Sequence, residues 1–264
     1  MVEEDEKTKK LSNSKEEKKI TPKEVAAVMK ALAVSNEPDP KIELKIATPN
    51  AYRRSFSGKN ILIGIAGIIG AGKTTLTKKF AEYTGFKTCF EPTDDNPMLS
   101  MFYKDQARWG FTFQADLLGR RFALHQKTVW SGANYIQDRT LYEDPIFAKM
   151  LFEAGTMTEP EFNIYRNLFN SMQNFLHRPN LIIYLDVTPE TAMARISQRG
   201  RECEKGLPIE YQRDLKRCYE EWLLDIKNRI PVIRVDWNEI KDVSYIVKCI
   251  NKAFETERDY ALLA

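Results

Sequence analysis

The chain has 264 residues, a net charge of +3 and 43% hydrophobic residues, which fits one large soluble domain with a sizeable core. Its basic residues are matched by nearby acidic ones rather than collected in a stripe, so the sequence does not favour nucleic-acid binding. The four cysteines lack a Cys-x-x-Cys pair, no apolar run approaches the roughly 20 residues of a membrane span, and the acidic start is unlike a leader peptide. We therefore expect a cytoplasmic protein with neither a membrane nor a nucleic-acid partner.

The first 55 residues differ in composition from the rest. Residues 3–19 are almost wholly charged and polar, which predicts disorder. Thr21-Pro22 followed by apolar residues at helical spacing predicts a short helix over 22–34. We expect an N-terminal extension over residues 1–55, either a solvated tail or an oligomerisation arm, and one folded domain over 56–264.

From Asn60 onward, short apolar runs alternate with longer helical patterns. This rhythm predicts an α/β fold with a five-stranded parallel sheet flanked by helices. The predicted strands lie at 61–66, 87–90, 134–137, 181–187 and 231–235. Ligands of such sheets bind at the carboxyl ends of the strands, so candidate site residues are sought there.

The first predicted strand runs directly into a complete G-x-x-x-x-G-K-[ST] motif. Glycines in this motif let backbone N–H groups turn inward at a helix start whose dipole favours anions. Lys73 supplies a charge for the outer phosphates and Thr74 a hydroxyl for Mg²⁺. The motif predicts ATP binding by Gly67, Ile68, Ile69, Gly70, Ala71, Gly72, Lys73, Thr74 and Thr75.

Two further strand ends carry charged side chains. The second strand ends in Phe90-Glu91-Pro92, and Glu91 is a candidate general base for an attacking hydroxyl. The third is followed by Asp138-Arg139-Thr140. We expect Asp138 to help hold Mg²⁺ and Arg139 to neutralise charge on a transferred phosphoryl group.

Two helical patterns add candidate ligand contacts. Arg195 and Arg199 lie one turn apart, and Gly200 gives Arg201 freedom, so three guanidinium groups are expected to converge on phosphates as a lid. Gln114 and Arg121 are seven residues apart and share a helix face, an arrangement suited to hydrogen-bonding a flat heterocycle.

Taken in order, these motifs resemble the deoxynucleoside kinases, over roughly residues 60–240. The resemblance implies a P-loop kinase fold with an arginine lid, and transfer of the ATP γ-phosphate to a deoxynucleoside 5′-hydroxyl in nucleotide salvage. It implies that Glu91 is the base, that Arg139 acts near the 5′ position, and that Tyr103 and Glu204 contact the sugar 3′-hydroxyl. It further implies base recognition by Gln114, Arg121 and Asp144, and a late loop bracketing adenine at Asp236, Trp237 and Asn238.

Base preference follows from the same resemblance. An Arg and Asp pair marks family members for deoxycytidine and purine deoxynucleosides, and here Arg121 and Asp144 form that pair unless a one-residue shift places Glu143 there. Glu91-Pro-Thr-Asp-Asp-Asn96-Pro looks like the bacterial-type deoxyadenosine and deoxyguanosine kinases. We therefore expect a purine deoxynucleoside, with deoxyadenosine favoured.

Two alternatives remain open. A thymidylate-type monophosphate kinase shares the phosphate loop, a Glu-Pro and an Asp-Arg motif, but such enzymes typically have an arginine where this chain has Phe90. A non-catalytic nucleotide-binding scaffold is the other, although the chain lacks the N-K-x-D motif of GTPase switches. The family resemblance also implies a homodimer, which the N-terminal extension would enlarge to a tetramer if it forms a second interface.

Overall fold

The structure, a computed structural model, describes residues 60–91 and 96–255. The predicted N-terminal extension over 1–55, with its helix at 22–34, lies outside the described residues. Within the described ranges, no helix combines the length and the apolar character needed to cross a membrane.

Five parallel strands form a single sheet in the order β2-β3-β1-β4-β5. The strands are β1 (Leu62–Ala66), β2 (Lys87–Cys89), β3 (Tyr135–Asp138), β4 (Leu181–Asp186) and β5 (Val232–Asp236). All five residues of β1 and the first five of β4 are buried, because a parallel strand covered on both faces is apolar throughout. The predicted α/β fold with a five-stranded parallel sheet is confirmed.

Helices cover the sheet and end where the sequence carries capping residues. Thr188 caps one of them by accepting a hydrogen bond from the Thr191 amide, and Gly200 ends the same helix at φ +69°. The helices are α1 (Lys73–Thr84), α2 (Met98–Lys104), α3 (Gln106–Trp130), α4 (Asp144–Glu153), α5 (Glu159–Gln173), α6 (Pro189–Arg199), α7 (Ile209–Ile226) and α8 (Val243–Glu255).

The strand order changes direction at β1, which pairs with β3 on one side and with β4 on the other. The loop that leaves the carboxyl end of β1 therefore opens between the ends of two neighbouring strands. Open α/β sheets bind their ligands at such a switch point. The fold thus places the phosphate loop beside Asp138, the last residue of β3.

One close approach inside the sheet ties β1 to the segment that follows β3. A Cβ at Gly64 would lie 2.1 Å from Cγ2 of Thr140, whereas its next neighbours would be 3.6 and 3.7 Å away. We expect Gly64→Ala to lower the free energy of unfolding by about 1–3 kcal/mol, as overpacking does. Thr140→Ser removes the clashing methyl group and should restore most of that loss, as measured by urea unfolding.

The matched control is Gly119→Ala on α3, where an added Cβ meets nothing within 4 Å. We expect that change to be neutral or to stabilise by about 0.5–1 kcal/mol. If Gly64→Ala were as stable as Gly119→Ala, the close contact between Gly64 and Thr140 would be contradicted.

His125 on α3 is buried and is held in its neutral form. Its Nε2 accepts a hydrogen bond from the His177 amide at 3.1 Å. Burial, together with His177, lowers the pKa of His125 from 6.5 to about 4. In the unfolded chain His125 is protonated below about pH 6.5, whereas in the folded chain it is protonated only below about pH 4. The free energy of unfolding therefore decreases as the pH falls through that window.

We expect His125→Gln, which keeps an acceptor but does not titrate, to remove this contribution. Between pH 7 and pH 4 the native chain should lose about 3 kcal/mol more stability than the variant. Urea unfolding of both proteins at several pH values measures this difference. The other titrating groups are the same in both proteins, so their contributions cancel. If the free energies of unfolding of the native chain and of His125→Gln fell in parallel with pH, His125 would not be held neutral in the folded chain.

Candidate active site

The phosphate loop joins β1 to α1 with two glycines in left-handed conformations. Gly70 has φ +81° and Gly72, the residue that caps α1, has φ +93°. A Cβ at Gly70 would lie 2.5 Å from the carbonyl oxygen of Ala192, so the loop backbone has no room for a side chain there. Six of the nine predicted ATP-binding residues of this loop line the main cavity: Ile69, Gly70, Gly72, Lys73, Thr74 and Thr75.

Lys73 lies across the mouth of the loop. Its Nζ donates to the carbonyl oxygens of Gly67 at 3.0 Å and of Ile68 at 2.9 Å. Burial and the nearby Arg139 lower the pKa of Lys73 to about 8, against the opposing effect of the surrounding carboxylates. An ammonium hydrogen-bonded to carbonyl oxygens retains its attraction for a bound phosphate.

Thr74 and Asp138 come together as the sequence predicts. The Thr74 hydroxyl donates to Oδ2 of Asp138, and Oδ1 of Asp138 is buried without a hydrogen-bond partner among the described residues. Burial raises the pKa of Asp138, whereas Lys73 opposes the rise. A hydroxyl beside a carboxylate with a free oxygen is a donor set that fits Mg²⁺, which usually takes one or two protein oxygens and completes its shell with phosphates and water.

A cavity of about 720 Å³ extends from the phosphate loop to α3. Part of its lining is apolar and is formed by Leu99, Phe102, Phe113, Leu117 and Phe147. Polar side chains converge on the same space from α3, β3 and α6. An apolar slot with a few directed polar groups is typical of a site for a small, flat ligand.

Glu91 lies in this cavity between two arginines. Its Oε1 forms an ion pair with Arg121 and lies 3.0 Å from Nε of Arg139. Burial alone would raise the pKa of Glu91, but Arg139, Arg121 and Lys73 together lower it to about 2. Glu91 is therefore a carboxylate throughout the physiological pH range.

Arg121 connects Glu91 to Asp144. Its Nη1 donates to Oδ1 of Asp144, which is fully buried. Burial raises the pKa of Asp144 to about 6, although Arg121 opposes the rise. Arg121 lines the cavity, whereas Asp144 is not among the lining residues. Asp144, rather than Glu143, is thus the partner of Arg121.

Glu143 contacts Arg139 rather than Arg121. Its Oε2 accepts from the Tyr219 hydroxyl at 2.7 Å and lies 3.4 Å from Nη1 of Arg139. The sequence leaves open whether Asp144 or Glu143 sits beside Arg121, and the structure separates the two carboxylates.

The predicted base and sugar contacts also line the cavity. Gln114 is buried on α3, and its Oε1 has no hydrogen-bond partner within the part of the chain that the structure describes, which leaves an acceptor for a ligand. Tyr103 and Glu204 also line the cavity, and Glu204 is close enough to act on the ionisation of Tyr103. Burial, with Tyr211 and Glu204 adding to it, raises the pKa of Tyr103, so its hydroxyl keeps its proton.

The three lid arginines line the cavity but do not converge on one anion. Arg195 donates to the carbonyl oxygens of Ala71 at 3.0 Å, Trp237 at 2.8 Å and Asn238 at 2.9 Å. Arg199 instead donates to both carboxylate oxygens of Glu204 at 2.6 Å, and Arg201 lies 3.5 Å from the same carboxylate. The predicted convergence therefore holds for two of the three arginines, and the anion between them is Glu204.

The late loop after β5 supports the phosphate loop from outside the cavity. Trp237 is buried, and its indole Nε1 would be 3.4 Å from a Cβ at Gly72. Asp236 accepts from the amide and the side chain of Asn238 at 3.1 and 2.9 Å. None of these three residues is among the described residues that line the cavity, so their predicted contact with adenine stays a prediction.

Several aromatic residues that line the cavity were not predicted from the sequence, among them Phe147 and Tyr211. Phe147 on α4 packs its ring 4.6 Å from the Arg139 guanidinium, and Tyr211 lines the cavity from the first turn of α7. Tyr211 follows Pro208, which starts α7 directly after the lid, and that spacing was a usable signal. The sequence carries no such signal for Phe147, because a phenylalanine at helical spacing usually belongs to the hydrophobic core.

Comparisons with known proteins show what the chain is similar to. The family model for deoxynucleoside kinases matches residues 63–256. The chain is 43% identical over 209 residues to a deoxyadenosine kinase of Dictyostelium discoideum, covering 79% of this chain and 84% of that protein. It is 38% identical over 201 residues to a deoxyadenosine/deoxycytidine kinase of Bacillus subtilis (strain 168), covering 74% of this chain and 92% of that protein.

A solved structure shares the fold. The deoxyadenosine kinase from M. mycoides with bound dATP aligns with a TM-score of 0.66 at 31% identity, covering 74% of this chain and 100% of that chain. The family model alone spans well over half of the present chain. The chain therefore belongs to the deoxynucleoside kinase family, and it is an ATP-dependent deoxynucleoside kinase.

Proposed function

We propose that the preferred substrate is a purine deoxynucleoside, with deoxyadenosine favoured, and that the reaction serves nucleotide salvage. The buried ion pair of Arg121 with Asp144 at the end of an apolar slot carries this proposal. The relatives from D. discoideum and M. mycoides are named as deoxyadenosine kinases, which supports the same preference.

ATP would bind with its phosphates in the loop between β1 and α1. Amide groups around Gly70 and Gly72 and the Lys73 ammonium would neutralise the outer phosphates. Thr74 and Asp138 would hold Mg²⁺, which bridges and neutralises phosphate oxygens in kinases. Arg199 and Arg201 would exchange part of their contact with Glu204 for phosphate when the lid closes.

Glu91 would accept the proton of the 5′-hydroxyl as that oxygen attacks the γ-phosphate. A carboxylate with a pKa of about 2 is a weak base, so it would take the proton late, when the hydroxyl has become acidic by bonding to phosphorus. Arg139, 3.0 Å from Glu91, would neutralise charge on the transferred group. Catalysis is then mostly positioning and electrostatic stabilisation, as expected for phosphoryl transfer.

Base choice would depend on Gln114 and Arg121. Adenine presents ring nitrogens that accept hydrogen bonds and an exocyclic amine that donates them, and a glutamine amide can serve both. Arg121 would donate to a ring acceptor, with Asp144 fixing its direction. Tyr103 and Glu204 would bind the sugar 3′-hydroxyl from the other end of the slot.

A homodimer in the cytoplasm is the proposed working form, and a tetramer would require the N-terminal extension. Three apolar side chains along α5 and just beyond it are exposed: Ile164, Leu168 and Phe175. An exposed apolar row on a core helix is typical of a subunit interface, which supports the dimer.

The direct test is ATP-dependent phosphorylation of the four deoxynucleosides, their ribose counterparts and thymidine monophosphate. A kcat/KM that is highest for deoxyadenosine supports the proposal. Activity confined to thymidine would overturn the base assignment, and turnover of the monophosphate alone would favour the thymidylate-type reaction. A chain that binds ATP but phosphorylates none of them would be a scaffold.

A further inference from the structure

Arg139 adopts a backbone conformation that its surroundings must enforce. Its φ is +65°, a region that residues other than glycine seldom occupy because it is sterically strained. The side chain is buried and runs from the end of β3 toward Glu91. Other contacts must therefore hold this residue in place.

Glu143 provides those contacts from the side away from Arg121. This carboxylate is fully buried. Its Oε1 accepts from the Thr140 amide at 2.8 Å, while its Oε2 accepts from the Tyr219 hydroxyl at 2.7 Å and from the Gly67 amide at 3.4 Å. The first amide of the phosphate loop is thereby tied to the segment that carries Arg139.

Tyr219 on α7 contacts both Arg139 and Glu143. Its hydroxyl is hydrogen-bonded to Nη1 of Arg139 as well as to Glu143, and Nη1 lies 3.4 Å from Oε2 of Glu143. Nη2 of Arg139 then points to the Gly67 carbonyl oxygen at 3.4 Å. Nε of Arg139 lies 3.0 Å from Oε1 of Glu91 without forming a hydrogen bond to it, so the guanidinium spans the space between the phosphate loop and Glu91.

We propose that Glu143, acting with Tyr219, is a positioning residue that fixes the Arg139 guanidinium between the phosphate loop and Glu91. This proposal rests on the proposed function, in which Arg139 neutralises the transferred phosphoryl group. Glu143 is not among the described residues that line the cavity, so it acts through Arg139 rather than on the substrate. The buried tyrosine hydroxyl and the loop amide make the arrangement rigid.

The charge of Glu143 determines how its replacement should affect kcat and the KM for ATP. Glu143→Gln keeps the shape of the side chain and removes one negative charge near the phosphate loop, which does not weaken attraction for anionic ATP. We expect kcat to fall about ten- to hundredfold, because misplacing a catalytic group by about 1 Å costs on the order of 10²-fold. The KM for ATP should stay unchanged or decrease. A merely structural role would raise KM along with the loss of kcat.

A double-mutant cycle tests whether Glu143 works through Arg139. In an Arg139→Met background, Glu143→Gln should lower kcat less than about threefold further, because the group that it positions is gone. Full additivity of the two losses would overturn the proposal, as would unchanged kcat in Glu143→Gln alone.

Tyr219→Phe provides a second route if Glu143→Gln fails to fold. It removes one hydroxyl and should lower kcat by about three- to tenfold with unchanged KM for ATP, since one of the contacts that hold Arg139 remains. The control is Tyr184→Phe, whose ring lies 5.7 Å from that of Tyr219 and which should leave kcat unchanged. Equal kcat in the native enzyme and Tyr219→Phe would contradict the proposal.

Failure of this inference is distinguishable from failure of the proposed function. If Glu91→Gln abolishes turnover while Glu143→Gln and Tyr219→Phe behave as the native enzyme, the proposed function stands and the positioning role is overturned.

Discussion

Glu91→Gln is expected to lower kcat by about 10²–10⁴-fold, the range that a positioned general base contributes. Glutamine keeps the size of the side chain and leaves an oxygen for Arg121 and Arg139, but it has no affinity for the proton of the 5′-hydroxyl. The phosphate loop joins β1 to α1 and does not include Glu91. Affinity for a non-hydrolysable ATP analogue, measured by calorimetry, should therefore stay close to that of the native enzyme.

The matched control is Glu190→Gln, which changes an exposed glutamate at the start of α6. We expect it to leave kcat and ATP affinity unchanged. If Glu91→Gln reduced ATP affinity in proportion to kcat, Glu91 would be part of the phosphate site instead. Because the pKa of Glu91 is about 2, its ionisation should also not limit the rate of the native enzyme between about pH 5 and pH 9, as a pH profile of kcat would show.

The sheet was predictable because its strands are apolar runs bounded by turn residues. The predicted and observed strands differ by no more than one residue at each end, as with 181–187 against Leu181–Asp186. The order of the strands could not be predicted from the sequence pattern, since spacing along the chain does not specify which strands pair. The order β2-β3-β1-β4-β5 comes from the structure.

Site residues were predictable where a motif fixes the backbone. They were less predictable where a side chain has several possible hydrogen-bond acceptors. The phosphate loop lies where the motif predicts, whereas Arg195 bonds to carbonyl oxygens rather than joining Arg199 and Arg201. Sequence spacing placed Arg195 and Arg199 on one helix face but carried no information about competing acceptors.

Glu143 shows the same limit. It and Asp144 are adjacent in sequence, yet the short helical turn Leu141–Glu143 directs them to different arginines. A one-residue ambiguity in a motif is resolved only by the local backbone, because adjacent residues on a helical turn point about 100° apart. The distinction determines which carboxylate affects base choice and which affects the catalytic arginine.

Arg121→Met combined with Asp144→Ala is expected to shift base preference away from deoxyadenosine and toward thymidine. A hydrogen bond from the base to a charged group is worth on the order of 1.5–3 kcal/mol. The ratio of kcat/KM for deoxyadenosine to that for thymidine should therefore fall by about ten- to a hundredfold. The measurement is steady-state kinetics with both nucleosides at saturating ATP.

The single variants separate base choice from stability. Arg121→Met alone leaves Asp144 as a fully buried carboxylate without its partner, so it should be less stable than the double variant, by about 1–3 kcal/mol. Arg120→Met, one residue away on α3 and paired with the part-exposed Asp116, serves as the control and should change neither property. An unchanged substrate ratio in the double variant would show that Gln114 and the apolar wall select the base without this ion pair.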